Sequence, residues 1–416
     1  MKAIAAALAR LATFALTVGL GTVVGLVAIP IITGIVGSDA WAVQALVQAL
    51  ATLFGVLVAF GWGTVGPAMI AAAPCSRRPQ MFADSLVTRG YLYLVTAPLM
   101  AGVMVLLQPG HALFVVLSSL AYLLPYLGAS WYFIGEAKPL RLFLADALPQ
   151  LVGTVIGLFV LTATRDFTLL VATQLMFNLI GVLISSAVVL RGAAYVDFDF
   201  SLRSSLSRMA HQRHGVVTAA TGGLYVNLPI VAVNLLLPAQ LDVYAFADRL
   251  FRFSATVFSP ILQFIQGWIP EGGSDVVAHR IRRASQVAPA LGIVGGTGLA
   301  LLGPTAAEIL VKDSIDFGFN LSVPIGLCFA AVAVSQVLGL ACLVSIGRAE
   351  ELARSTIIGA VFGIPLILGG ALLAGVVGVA WAVAVSEVLV AGFQFVVLHR
   401  YFRAQNKARN ARDAVN

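Results

Sequence analysis

The stretch YAFADRLFRFSATVFSPILQFIQGWIPE, residues 244–271, decides how the chain folds. It is apolar and long enough to cross a bilayer, since about 20 helical residues span the hydrocarbon core. Yet it contains Asp248, Arg249 and Arg252. A charged side chain that faces lipid near the bilayer centre costs at least about 2.5–3.5 kcal/mol. We therefore predict that these three residues face protein or water.

The whole chain has the composition of a polytopic membrane protein. Of its 416 residues, 60% are hydrophobic and 10% are charged, whereas soluble domains have about 45–50% apolar and about 25% charged residues. Apolar blocks of membrane-spanning length recur throughout, and they predict an all-α fold of twelve transmembrane helices. The predicted spans cover approximately residues 11–33, 41–70, 91–107, 112–134, 144–163, 168–190, 216–237, 243–269, 287–311, 321–346, 355–374 and 377–399.

Basic residues are distributed unequally between the two predicted sides of the membrane. With the N-terminus inside, 21 of the 25 lysines and arginines fall in cytoplasmic segments, and only Arg165 and Lys312 fall on the opposite side. Because basic loops are retained in the cytoplasm, we predict that both termini are cytoplasmic. Contact with anionic lipid head groups accounts for the net charge of +7, so no nucleic-acid partner is expected.

The longest polar break, residues 191–215, divides the predicted spans six and six. This division predicts an N-terminal lobe of residues 1–200 and a C-terminal lobe of residues 201–416, the second ending in a basic cytoplasmic tail. Because six is even, both lobes enter from the same side, as parallel repeats related by a pseudo-two-fold axis along the membrane normal. We expect a monomer with a central cavity between the lobes.

The opening stretch is amphipathic when its residues are placed at about 100° each around a helix. One narrow arc holds its polar side chains, and the opposite side is apolar. The polar arc consists of Asp248, Arg249, Arg252, Thr256, Ser259, Gln263 and Gln266.

Other predicted spans also have one polar side. The candidate lining residues are Gln44, Gln48 and Trp62 in the second span, Gln150 in the fifth, and Asn227 and Asn234 in the seventh. Asp146 and Glu387 are membrane-embedded carboxylates of the fifth and twelfth spans. Taken singly, each of these residues is explained by close helix packing or an interhelical hydrogen bond. Together they favour a hydrated cavity.

The two arginines indicate an anionic ligand, because a guanidinium stays charged and directs paired donors toward phosphate or carboxylate. The alternative is a local ion pair between Asp248 and Arg252, which are four residues apart on the helix. The two interpretations are compatible, since an acidic neighbour can hold one arginine in place.

Three segments carry a family resemblance. They are YAFADRLFRF followed by SPILQFIQGWIPE, GLVAIPIITGIVGSDAWAVQALVQALATLFGVLVAFGWGTVGPAMIA near the start, and GVVGVAWAVAVSEVLVAGFQFVVLHRYF near the end. With these segments the chain resembles polysaccharide flippases of the Wzx type, in the multidrug, oligosaccharidyl-lipid and polysaccharide exporter superfamily.

The resemblance implies a bacterial inner-membrane protein working by alternating access. The implied cargo is an undecaprenyl-diphosphate-linked oligosaccharide, moved from the cytoplasmic to the periplasmic leaflet. Arg249 and Arg252 match the basic positions that contact the diphosphate or acidic sugars, and no basic residue falls within predicted spans one to six.

Transport could be coupled to H+ or Na+ through a membrane-embedded carboxylate, for which Glu387 and Asp146 are the candidates. A structural hydrogen bond explains Glu387 equally well. For Asp146, the alternative is an interfacial position near Arg141.

Three other functions are compatible with a polytopic membrane fold. One is a drug or metabolite cation antiporter of the same superfamily, which would need acidic cavity walls. Another is a nonspecific lipid scramblase. A membrane enzyme acting on lipid-linked sugars is disfavoured by the short periplasmic breaks. His211 and His214 lack a third metal ligand, so neither a metal nor a cofactor is expected.

Overall fold

All regular structure in the described residues is helical. A computed structural model gives the backbone of residues 2–63, 66–136, 138–191, 196–269, 274–312 and 314–413. Within these ranges it leaves aside the side chains of residues 2–18, 68, 71–72, 211–222, 224–225, 263–264, 267, 274–276, 349 and 404–413. The side chains of His211, His214 and Gln263, and the basic tail from residue 404, therefore lie outside the described residues.

The chain forms two compact units, unit 1 (Met1–Asn227) and unit 2 (Leu228–Asn416). The predicted lobes of residues 1–200 and 201–416 remain a prediction. Unit 1 contains α1 (Lys2–Val36), α2 (Ser38–Ala59), α3 (Gly66–Ala72), α4 (Arg78–Leu107), α5 (Ala112–Leu123), α6 (Ser130–Gly135), α7 (Pro139–Leu142), α8 (Leu148–Thr164), α9 (Phe167–Leu190) and most of α10 (Leu202–Leu236). Unit 2 contains the end of α10 and then α11 (Leu241–Trp268), α12 (Ser274–Val311), α13 (Phe319–Gln336) and α14 (Ala349–Asp413).

The predicted all-α membrane fold is confirmed, whereas the number of spans is not. Within the described residues, nine helical segments are long and apolar enough to cross a membrane. In the part of α10 whose side chains are described, the apolar segment is the shorter Val226–Leu236, and α14 places two predicted spans within one apolar segment, Glu350–Arg403. Twelve spans therefore stay a prediction.

The second predicted span, residues 41–70, is not one continuous helix. α2 ends at Ala59, because Phe60 (φ +39°) and Gly61 (φ +82°) adopt left-handed backbone conformations. A helical wheel drawn through this break therefore does not give the facing of the residues after it.

A second break divides α14. Ala374 and Gly375 leave the helical conformation, and Gly375 has φ +59° and ψ −145°, a region open essentially to glycine. The side chain of Gln240, just before α11, accepts a hydrogen bond from the backbone N–H of Val376 at 3.1 Å. This bond satisfies a backbone donor that the break would otherwise leave without a helical partner.

The extended segment before α10 is tied to α4 in unit 1. The amide of Gln80 donates to the carbonyl of Asp197 at 2.6 Å and accepts from its N–H at 2.9 Å. Arg208 donates to Asp84 at 3.0 Å and to Asp199 at 3.2 Å. The linker between α9 and α10 is therefore held to α4 by hydrogen bonds from Gln80 and by the ion pairs of Arg208.

Candidate functional site

The apolar side of α11 packs inside unit 2. Leu250, Phe258, Leu262 and Ile265 are all less than 10% exposed. The last three belong to a buried cluster with residues of α12 and α13, in which Phe258 contacts Phe329 with ring centroids 6.0 Å apart. This packing fixes the rotation of α11 and so the direction of its charged side.

The charged side of α11 is partly exposed. Arg252 Nε donates to Asp248 Oδ2 at 2.6 Å, and the two side chains are 30% and 19% exposed. The guanidinium carbon of Arg249 lies 5.2 Å from the ring centre of Phe253. The structure therefore contains the local ion pair that the sequence left open. Two arginines and one aspartate leave this side with a net charge of +1.

Glu387 of α14 lies in the same neighbourhood of unit 2. The buried Cys328 side chain of α13 is close enough to interact electrostatically with both Glu387 and Asp248. Glu387 is partly buried. Two carboxylates from different helices therefore approach one residue of α13.

Unit 1 contains a charged residue that the sequence analysis misplaced. Arg89 was assigned to a cytoplasmic segment, but α4 begins eleven residues earlier, at Arg78, and Arg89 is only 1% exposed. The expectation that spans one to six hold no basic residue is therefore wrong, because Arg89 lies inside a candidate membrane span.

Arg89 is held by four hydrogen bonds. Its Nη1 donates to the carbonyls of Tyr126 at 2.8 Å and Gly128 at 2.9 Å. Its Nε and Nη2 donate to the carbonyl and hydroxyl of Ser85, at 3.3 Å and 3.1 Å. The carbonyls of Tyr126 and Gly128 lie where a 3-10 turn, Leu124–Leu127, interrupts the fourth predicted span. Arg89 thus supplies donors to backbone that a continuous helix would satisfy itself.

Asp146 lies beside this break. It belongs to a π turn, Phe143–Ala147, that precedes α8, and it is 8% exposed. It interacts electrostatically with Arg89, and a Cβ at Gly128 would clash with its Oδ1. Asp146 is therefore buried next to Arg89, and the alternative of an interfacial position near Arg141 stays a prediction.

A run of hydrogen bonds in unit 1 links polar side chains, passes through the backbone carbonyl of Gln150 and ends on Asp146. We call it the polar chain, and it consists of Gln44, Tyr122, Gln174, Thr154, Gln150 and Asp146. Gln44 Nε2 donates to Tyr122 Oη at 2.7 Å, and Tyr122 Oη donates to Gln174 Oε1 at 3.1 Å. Gln174 Nε2 donates to Thr154 Oγ1 at 3.4 Å, and Thr154 Oγ1 donates to the carbonyl of Gln150 at 3.0 Å. Gln150 Nε2 donates to the Asp146 carbonyl at 3.1 Å and to Oδ2 at 3.4 Å.

The polar chain brings together three residues that the sequence singled out, Gln44, Gln150 and Asp146. It also includes Tyr122, Thr154 and Gln174, which the sequence analysis missed. They could have been recognised as isolated polar residues within apolar spans, because such residues hydrogen-bond to neighbouring helices. Which partners they find depends on the tertiary fold.

Trp62 has a different role from the predicted one. It lies beyond the end of α2, is 5% exposed and packs on Trp131 with ring centroids 5.2 Å apart. Both rings belong to a buried aromatic cluster with Phe82. The interpretation of Trp62 as a cavity-lining residue is therefore wrong, because the break at Phe60 turns it into the core of unit 1.

The remaining candidates are buried or partly buried. Asn227 of unit 1 is buried and donates to the carbonyl of Gly223 at 2.8 Å. Asn234 of unit 2 is also buried. Gln48 and Gln266 are partly buried.

Known proteins of similar sequence and structure were compared with this chain. No family model matches it. A protein of Shigella dysenteriae named "Putative O-antigen transporter" is 21% identical over 383 residues, which cover 88% of this chain and 93% of that protein. A crystal structure of a Vibrio cholerae MATE transporter superposes with a TM-score of 0.62 at 13% identity, covering 95% of this chain and 96% of the other.

A third similarity is to a flippase. The inward closed conformation of the lipid II flippase MurJ superposes with a TM-score of 0.60 at 12% identity, covering 93% of this chain and 87% of MurJ. The chain has the fold of the MATE and MurJ transporters. The resemblance noted from the sequence is thereby confirmed, and these three proteins are named as transporters or flippases, in agreement with the argument against an enzyme.

Proposed function

We propose that this protein is a flippase for an undecaprenyl-diphosphate-linked oligosaccharide, moved from the cytoplasmic to the periplasmic leaflet by alternating access. The observation that carries the proposal is the partly exposed pair of arginines, Arg249 and Arg252, in the first half of a helix of membrane-spanning length. The similarity to an O-antigen transporter over 93% of its length and to the MurJ flippase supports this choice of cargo.

The geometry of α11 suits a diphosphate. A guanidinium has five N–H donors in a planar fork that matches phosphate oxygens, and Nε of Arg252 donates to Asp248. Asp248 thereby restrains the long Arg252 side chain, so less conformational entropy is lost when an anion binds. Arg249, three residues earlier, lies on the same side of the helix. Polar residues farther along it, including Gln263 and Gln266, are proposed to contact the sugar.

Arg89 is not proposed as a second diphosphate ligand. It is almost fully buried, and its guanidinium is engaged by Ser85 and by the carbonyls of Tyr126 and Gly128. Its role in unit 1 is structural. The cationic contact is accordingly assigned to α11.

Ion coupling is proposed through Asp146 and Glu387. The positive charge of Arg89 beside Asp146 disfavours a bound Na+, since like charges repel strongly in a poorly solvated site. A proton is therefore the better partner for Asp146. The polar chain offers hydroxyl and amide groups that lead toward it. At Glu387, either H+ or Na+ fits the partly buried carboxylate.

The proposed setting is the inner membrane of a bacterium, with both termini cytoplasmic and the protein monomeric in contact with membrane lipids. Its support is the charge asymmetry of the loops together with the bacterial origin of the Shigella and Vibrio proteins.

A cation antiporter is the second candidate. Its support is the superposition on a MATE transporter and the presence of Asp248 and Glu387 around Cys328. The two functions differ in the sign of the ligand charge. Replacing the two arginines should therefore have opposite effects on transport of an anionic and of a cationic ligand. An antiporter for cations would keep or gain activity without the arginines.

The test is complementation of a bacterial strain that lacks its own polysaccharide flippase and has the matching sugar repeat. With Arg249→Ala plus Arg252→Ala, we expect loss of surface polysaccharide and build-up of the lipid-linked precursor, at unchanged protein level in the membrane. Arg203→Ala, which removes an exposed arginine at the start of α10, is the matched control and should complement fully. Normal polymer from the double variant would refute the role of the arginines. Increased resistance to cationic drugs without complementation would favour the antiporter.

A further inference from the structure

Unit 2 contains a cavity of about 490 Å³ between the beginning of α12 and the end of α14. It lies entirely outside the charged side of α11. Its lining residues are Arg282, Ser285, Gln286 and Pro289 of α12 and Phe395, Leu398, His399, Phe402 and Arg403 of α14.

Helical spacing explains why these residues meet. Those of α12 are three, four and seven positions apart, and those of α14 are three, four, seven and eight positions apart, so each set forms one side of its helix. Leu398 is 2% exposed and forms the floor, whereas Phe395 is 49% exposed and forms an open edge. The guanidinium carbon of Arg282 lies 5.4 Å from the ring centre of Phe402. The cavity therefore has an apolar interior with two arginines at its rim.

The charges of this rim are not balanced. None of its nine lining residues is a carboxylate, and neither Arg282 nor Arg403 forms an ion pair with another residue whose side chain is described. A second cavity of about 500 Å³ on the other side of α14 differs, because Glu351 lines it and lies 3.3 Å from Arg354. The first cavity is thus complementary to an anion that also carries an apolar part.

The cavity lies at one end of two candidate membrane spans, Val277–Val311 and Glu350–Arg403. At that depth, the polar rim meets the lipid head groups and the apolar wall meets the acyl chains. Basic pockets between membrane helices bind the phosphates of anionic lipids there. The predicted topology places this end in the cytoplasm.

We propose that this cavity is a binding site for an anionic phospholipid of the surrounding bilayer. The phosphate lies between Arg282 and Arg403, and the first part of an acyl chain runs along Phe395 and Pro289. The site is independent of the cargo site on α11 and is expected to stabilise the packing of α12 against the end of α14.

The experiment measures lipid retention by the full-length protein, purified in detergent and titrated with phosphatidylglycerol, by intact-protein mass spectrometry. Phosphatidylcholine, which has the same chains and no net charge, is the lipid control. We expect one phosphatidylglycerol to be retained in preference to phosphatidylcholine. Arg282→Gln plus Arg403→Gln should weaken that binding by about tenfold or more, because each basic side chain near a lipid phosphate contributes a several-fold factor.

The control variant is Arg191→Gln plus Arg203→Gln, which removes two exposed arginines of unit 1 and leaves the cavity intact. It should retain the lipid as the wild type does. If the cavity variant is poorly folded, a salt titration of the wild-type protein tests the proposal instead. Raised salt should release the phosphatidylglycerol if the arginines hold its phosphate. Equal retention by both variants, salt-insensitive binding, or preferential displacement by undecaprenyl phosphate would each overturn the proposal.

Discussion

Replacing Arg89 with methionine removes the donors that hold the break in the fourth predicted span. Four hydrogen bonds are lost, two of them to the carbonyls of Tyr126 and Gly128. Asp146 is left buried without its nearby positive charge. Leaving the buried carbonyls of Tyr126 and Gly128 without these donors costs about 2–6 kcal/mol, at about 1–3 kcal/mol for each unsatisfied group. We expect Arg89→Met to lower the free energy of unfolding by that amount.

The assay is reversible unfolding in mixed micelles, with Arg141→Met as the matched control. Arg141 lies in the same unit, but its side chain is 53% exposed and 3.7 Å from Glu136, so its loss should cost about 0–1 kcal/mol. Adding Asp146→Leu to Arg89→Met removes the orphaned carboxylate and should recover part of the loss. Equal unfolding free energies for Arg89→Met and Arg141→Met would refute the assigned role.

Two further outcomes follow from described contacts. Gly375→Ala should lower the free energy of unfolding by about 1–3 kcal/mol, because alanine rarely adopts this backbone conformation. Gly369→Ala is the control and should be neutral or stabilising, since a Cβ there meets nothing within 4 Å. Similar melting temperatures for the two variants would contradict this prediction. Hydrogen bonds from Ser204 and the Ser201 N–H, followed by the charge of Arg208, lower the pKa of Asp199 in the linker. The contact between Asp199 and Arg208 should therefore be fully formed above about pH 4, the ordinary range of an aspartate pKa. It should loosen as the pH falls through the lower pKa that Asp199 has in the folded protein. Hydrogen exchange of the linker, corrected for intrinsic rates, should show this loosening, and a wild-type profile as flat as that of Asp199→Asn would exclude it.

The membrane fold and the character of α11 were predictable from the sequence because they depend on local pattern. Hydrophobic content identifies the spans, and the spacing of Asp248 and Arg252 places both on one side of a helix. Arg89 was missed because the first three turns of α4 are polar, so hydropathy places the start of the span too late. Its partners, the carbonyls freed at Leu124–Leu127, come from another helix and appear only in the folded chain.

The error at Trp62 has a similar origin. A helical wheel assumes that the helix continues, and two left-handed residues after Ala59 end it. The polar chain shows the complementary limit. Gln44 and Gln150 were recognisable singly, but the link through Tyr122 and Gln174 joins residues far apart in the chain.

The hydrogen bond from Val376 to Gln240 connects the start of α11 to the start of the final helical segment. An axial slip of α11 by one residue, about 1.5 Å, would lengthen this 3.1 Å contact beyond hydrogen-bonding range if it moved Gln240 directly away from Val376. Glu387 lies three turns farther along that final segment. If the proposed anion moved α11 in that direction, this hydrogen bond would break or the base of the segment that carries Glu387 would move with α11.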